Sequence, residues 1–220
     1  MSNSNLLLSE GFTAWEQGLY FHAKDVFNSI LVHNPYCAPA WSGLGYSLWS
    51  LKYYYQSLYA FKRACNLEPL CAAHWSNIGL ALRDLECWRE AVESFQCAIK
   101  INPQYAPAYN EWGNVLVDLH RYQGAILLYQ RALNIDPSRP VVFHNMGVCF
   151  KYLLLNNAAK FCFLVALSLD PRYIHSLEEL GIMYEQEGNR KAAVGYLVQA
   201  NSPRAMRIVS GFGRNSQCTY

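Results

Sequence analysis

Charge is scarce in this sequence. Its 18 basic and 16 acidic side chains make up 15% of 220 residues and leave a formal charge of +2 at pH 7. No basic surplus points to nucleic acid, and no block of like charge suggests an interaction tail. Long apolar runs are also missing: the longest clean one, residues 161–167, is far too short for a membrane helix. Residues 1–9 carry no cation ahead of the short Leu6-Leu7-Leu8 run, a poor match to a signal peptide. The expectation is a cytoplasmic protein without membrane insertion. Cysteine is plentiful, at Cys37, Cys65, Cys71, Cys87, Cys97, Cys149, Cys162 and Cys218, but no Cys-x-x-Cys pair occurs. Clustered zinc sites are therefore not expected, and the thiols read as free cysteines in a reducing compartment. Cys97, Cys149 and Cys162 lie on or beside apolar stripes, whereas Cys218 falls in the last residues.

Catalytic signatures are absent as well. There is no His-x-x-x-His pair, no Gly-x-Ser-x-Gly elbow and no glycine-rich phosphate loop. The six histidines fall at unrelated phases, and Glu178 and Glu179, being adjacent on a helix, point about 100° apart. The chain reads as a non-enzyme with no cofactor and no metal. Against these absences stands a hydrophobic share of 52%, enough for a large core and too high for a disordered chain.

What organises that apolar content is a period. Prolines stand at 35, 69, 103, 137 and 171, and glycines at 11, 45, 79, 113, 147 and 181, each series 34 residues apart. Four residues before the glycine come Trp41, Trp75, Tyr109 and Phe143; three after it come Leu48, Leu82, Leu116, Phe150 and Tyr184. Spacings of three and four put these on one helical stripe. The glycine lies inside that helix at a cost of about 1 kcal/mol against alanine, so its recurrence calls for close approach of a neighbour. A second stripe follows: Ala23 with Phe27, Ser57 with Phe61, Ala91 with Phe95, Ala125 with Tyr129, Ala159 with Phe163 and Ala193 with Leu197. Small residues flanking a large one let two helices approach while the large side chain fills the gap. The proline closes each unit, lacking an amide donor and restraining its predecessor. The chain is predicted to be all-α, six helical hairpins at about 4–37, 38–71, 72–105, 106–139, 140–173 and 174–207, followed by a flexible tail at 208–220. Repeat six lacks the periodic proline, with Ala205 in its place and Pro203 two residues early, as suits a cap.

The pattern Trp-x-x-Leu-Gly, then Ala-x-x-x-Phe, then Pro, at a 34-residue period, resembles the tetratricopeptide repeat over about residues 4–207. The resemblance implies a right-handed α-solenoid whose first helices line a concave groove, and a non-enzymatic scaffold holding a protein or extended peptide there. Alternatives of other classes are a dedicated chaperone or assembly factor for a secretion or membrane-complex client, and an accessory region related to O-linked N-acetylglucosamine transferases. By the family's pattern the groove columns hold Asn77, Asn110, Glu111, Asn114, His144, Asn145, Lys151 and Glu179, which are the candidate partner-binding residues. Asparagine both donates and accepts toward an extended backbone. Asn114 and Asn145 match the asparagines of the clamp that grips acidic chaperone tails, but Asn110, His175 and Glu179 stand where that clamp has cations, so it is not expected here. The same columns carry Glu16, Asp84, Glu111, Asp118, Glu178, Glu179 and Glu185 against Arg83 and Lys151. A neutral-to-basic partner is expected. Tyr53, Tyr55 and Tyr59 on a second helix form a candidate self-association patch.

Overall fold

The computed structural model describes residues 3–212, with side chains described for 5–208. Among the described residues there are thirteen helices and no strand: α1 (Asn3–Glu16), α2 (Tyr20–His33), α3 (Ala38–Ser50), α4 (Tyr54–Leu67), α5 (Ala72–Asp84), α6 (Trp88–Ile101), α7 (Ala106–Asp118), α8 (Tyr122–Ile135), α9 (Pro140–Tyr152), α10 (Asn156–Leu169), α11 (Ile174–Gln186), α12 (Arg190–Gln199) and α13 (Pro203–Phe212). They fall into two units, one ending at Val115 and the other starting at Leu116, so the division passes through α7.

Within each unit the packing follows the predicted columns. Phe27, Phe61 and Phe95 in the first unit, and Tyr129, Phe163 and Leu197 in the second, are all buried at 1% exposure or less. The helical glycines exist for these side chains. A Cβ on Gly45 would lie 2.4 Å from the Phe61 ring, and one on Gly147 would lie 2.7 Å from Phe163. Gly43 presses the Phe27 ring from the following hairpin, where a Cβ would meet it at 2.3 Å. The aromatic column four residues before the glycine behaves differently from the apolar stripe expected of it. Trp41 and Trp75 are half-buried, and their indole N–H groups donate to the carbonyls of Pro35 and Pro69 at 2.8 and 2.9 Å. They pin each inter-hairpin turn to the helix that follows it.

The turn inside every hairpin carries a left-handed residue that the columns did not reveal. Gly18, Lys52, Glu86, His120, Leu154 and Gly188 all have φ between 57° and 78° and recur at the 34-residue period. Only the first and last are glycine, although this region costs other residues about 1–2 kcal/mol. Leu154 has the least reason to be there, being 83% exposed. Replacing it with glycine is expected to raise stability by about 1 kcal/mol. Chemical denaturation checks this, and an unchanged or lower midpoint would show that the turn is not strained.

The sixth hairpin ends differently from the prediction. α12 has 10 residues where α10 has 14, because Asn201 turns left-handed (φ 53°) and Pro203 starts a new helix. That helix, α13, runs to Phe212 through what was expected to be the first part of a flexible tail. Its Arg204 donates to Glu185 of α11 at 2.6 Å, and Ala205 is buried. The rest of the expected tail, residues 213–220 with Cys218, lies outside the described residues.

Candidate functional site

The candidate residues of the first unit form a connected polar strip on α5 and α7. Arg83 lies between Asp84 (3.0 Å) and Glu111 (2.8 Å), and Asp84 also accepts from the indole of Trp49 on α3. Glu111 then collects the amides of Asn110 (2.9 Å) and Asn114 (3.0 Å). Spacing explains the convergence: 110, 111 and 114 share one turn of α7, and Arg83 reaches them from the last turn of α5. Asn77 plays another part. It is buried and accepts the Tyr46 hydroxyl at 2.7 Å, between α5 and α3. Burial pushes the Tyr46 phenol up to about 12, so it remains a neutral donor at any physiological pH.

In the second unit Lys151 of α9 pairs with Glu179 of α11 at 2.6 Å. His144 is half-buried on α9; its Nδ1 is 3.1 Å from the Ser176 hydroxyl, and its ring lies 5.8 Å from that of His175 and 5.4 Å from Phe163. Burial first, then the proximity of His175 and Lys151, lowers the His144 pKa to about 4. The histidines that looked unrelated in phase meet because successive first helices lie side by side. Asn145 is half-buried on the same helix. Of the predicted residues, Asn110, Glu111 and Asn114 gather around Arg83 in the first unit and Lys151 pairs with Glu179 in the second, while Asn77 turns inward to Tyr46.

Electrostatically, Arg83 and Lys151 are both held by the carboxylates they were counted against, and Arg204 adds a cation beside Glu185. Glu16 and Asp118 are exposed and Glu178 is half-exposed. Tyr55 on α4 is 78% exposed beside exposed Tyr53 at the N-cap, and Tyr59, also exposed, packs edge-to-face with Trp41 at 6.0 Å between centroids. Of the thiols, Cys65, Cys149 and Cys162 are buried, and burial pushes Cys149 to about 12 and Cys162 to about 11; Cys97 is only half-buried. One cluster of possible metal ligands has no Cys-x-x-Cys spacing: Glu68, Cys71 and His74, whose donor atoms lie within 4.8 Å of one another.

These hairpins define a helical-repeat scaffold, an α-solenoid with polar strips along its first helices. Two family patterns match the chain, "Tetratricopeptide repeat" at residues 72–105 and "TPR repeat" at 113–151. Similar solved structures include that of the APC/C hetero-tetramer Cut9–Hcn1 (TM-score 0.79, 19% identity, 94% of this chain and 42% of that one). They also include PilF of Pseudomonas aeruginosa (TM-score 0.71, 16% identity, 89% of both chains) and MamA (TM-score 0.58, 21% identity, 73% of this chain and 94% of that one). No curated protein matches the chain in sequence. The chain carries tetratricopeptide repeats at residues 72–105 and 113–151. No described helix is long and apolar enough to cross a membrane.

Proposed function

We propose that the chain is a non-enzymatic scaffold that holds an extended, neutral-to-basic protein segment along its first-helix faces. The observation that carries this reading is the Arg83–Glu111–Asn110–Asn114 strip, a set of amides and carboxylates ordered by their own hydrogen bonds. Side chains already held in place lose little rotamer entropy when they take up a backbone. The Lys151–Glu179 pair offers the second unit the same mixture of donor and acceptor. The surplus of carboxylates on these helices favours a basic or neutral segment and slows an acidic one.

The test compares a lysine-containing extended peptide with its glutamate counterpart by fluorescence anisotropy and stopped flow. The basic peptide is expected to bind better and to weaken as salt rises, since exposed charges are screened beyond about 8 Å at physiological ionic strength. Glu111→Gln with Glu179→Gln should slow its association severalfold, whereas Lys100→Gln with Lys191→Gln on the second helices should not. The triple variant Asn110→Ala, Asn114→Ala, Asn145→Ala should lose affinity for both peptides. Tight binding of the acidic peptide by the wild-type chain would sink the sign of this reading, and an unaffected triple variant would sink its location.

A further inference from the structure

The repeat supplies its own control for an unusual turn between α4 and α5. In four other inter-hairpin turns the residue before the proline is Asn34, Asn102, Asp136 or Asp170. Each caps the turn by accepting a backbone N–H two residues on, at 3.0–3.2 Å. The turn after α4 carries Glu68 in that place, and its longer side chain points to Nε2 of His74 at 3.1 Å. His74 departs from the period as well, because the equivalent buried positions are Ala40, Ala108, Val142 and Ser176. Between them stands Cys71, half-buried at the N-cap of α5. Packing explains a small residue at position 74 and turn geometry explains Asn or Asp at 68. Neither explains a carboxylate, a thiol and an imidazole whose donor atoms all lie within 4.8 Å of one another.

We propose that this turn holds a divalent transition-metal ion, zinc by the chemistry of its donors, through Glu68, Cys71 and His74, with water in the fourth position. A carboxylate, a thiolate and a neutral imidazole together balance a charge of +2, and three protein ligands plus water is the pattern of an open zinc site. The outer partners are in place. Ser42 on α3 holds Nδ1 of His74 at 3.2 Å, which leaves Nε2 facing the other two donors. The turn itself is closed by Cys71 N–H to the Glu68 carbonyl (3.1 Å), His74 N–H to the Cys71 carbonyl (3.2 Å) and the Trp75 indole to Pro69 (2.9 Å). Donors around tetrahedral zinc stand roughly 3.3–3.8 Å apart, so a small swing of the exposed Glu68 side chain and the Cys71 thiol completes the set. Binding displaces the thiol proton and any proton shared between Glu68 and His74.

The experiment uses the full chain, reduced and freed of metal by a chelator. Zn2+ is titrated by calorimetry, and Co2+ is used as a spectroscopic probe. The expected result is one ion per chain, with a thiolate-to-cobalt charge-transfer band and the intense visible bands of four-coordinate cobalt. The sister repeats provide substitutions that the fold already accepts: Glu68→Asn and His74→Ala, with Cys71→Ser as the closest thiol replacement. Each should weaken Zn2+ binding at least tenfold, and Cys71→Ser should abolish the charge-transfer band. Thermal melts without metal confirm folding of every variant, and Zn2+ should raise the melting temperature of the wild type but of none of the three ligand variants. Cys87→Ser, which removes another half-buried thiol, should change nothing. Failure to bind either ion, or binding by all three variants within twofold of wild type, would overturn the proposal.

Discussion

Phe61→Ala is expected to destabilise the chain by about 3–5 kcal/mol, the range for emptying a fully buried aromatic site. Phe61 has no exposed surface, covers Gly45 and sets its ring edge-to-face with Tyr46 at 5.2 Å. The glycine beneath it predicts a second effect of opposite origin. Gly45→Ala gains about 1 kcal/mol of helix propensity, yet its new Cβ lies 2.4 and 2.5 Å from two ring carbons that have nowhere to go. Overpacking of this kind costs about 1–3 kcal/mol, so the single variant should be less stable than wild type. In the Phe61→Ala background the same methyl enters a cavity, and the substitution should become neutral or stabilising. A double-mutant cycle in urea measures the coupling. If Gly45→Ala costs the same in both backgrounds, the glycine column is not there to receive the ring column.

Acid is expected to unfold the wild-type chain more readily than a His144→Asn variant. The folded chain holds His144 near pKa 4, against about 6.5 for an unfolded histidine, because burial, His175 and Lys151 all oppose its charge. The fold therefore favours the neutral ring. The stability this contributes is present in full above pH 6.5, where both states are neutral. It is lost as pH falls from 6.5 to 4, where the unfolded chain takes up the proton first. At about 1.4 kcal/mol per tenfold change, the loss approaches about 3 kcal/mol at pH 4. Asparagine is the residue that the period itself places at the equivalent Asn110. Carboxylates such as Asp136, held at about 2 by Ser138 and Arg139, titrate alike in both proteins and cancel from the comparison. From pH 7 to 5.5 to 4.5 the wild-type denaturation midpoint should fall further than that of the variant. Parallel decline would mean that His144 accepts its proton in the folded state.

The buried aromatic column, the glycines under it and the turn prolines were legible as a period because each hairpin solves the same packing problem with the same residue types. The period alone assigns Phe27, Phe61, Phe95 and Phe163 to the core, since only a helix facing a helix needs a large residue between small ones every 34 positions. The left-handed turn residues were hidden, because Lys52, Glu86, His120 and Leu154 share a backbone angle and no side-chain character.

Which candidate residues share a strip was only half written in the period. Asn110 and Asn114 are local neighbours on α7, so their common face follows from helical spacing. Which donors reach Glu111, and that Asn77 serves the Tyr46 hydroxyl instead of facing outward, depends on residues some 30 positions away. The same holds for His144 with Ser176 and for the Ser42 hydroxyl beside His74. One repeat meets the next through its first helix, and the 34-residue period is enough to imply that such contacts recur. The tertiary structure decided which side chains fill them, because a hydrogen bond needs two partners within about 3 Å, and only the stacking of hairpins sets that distance.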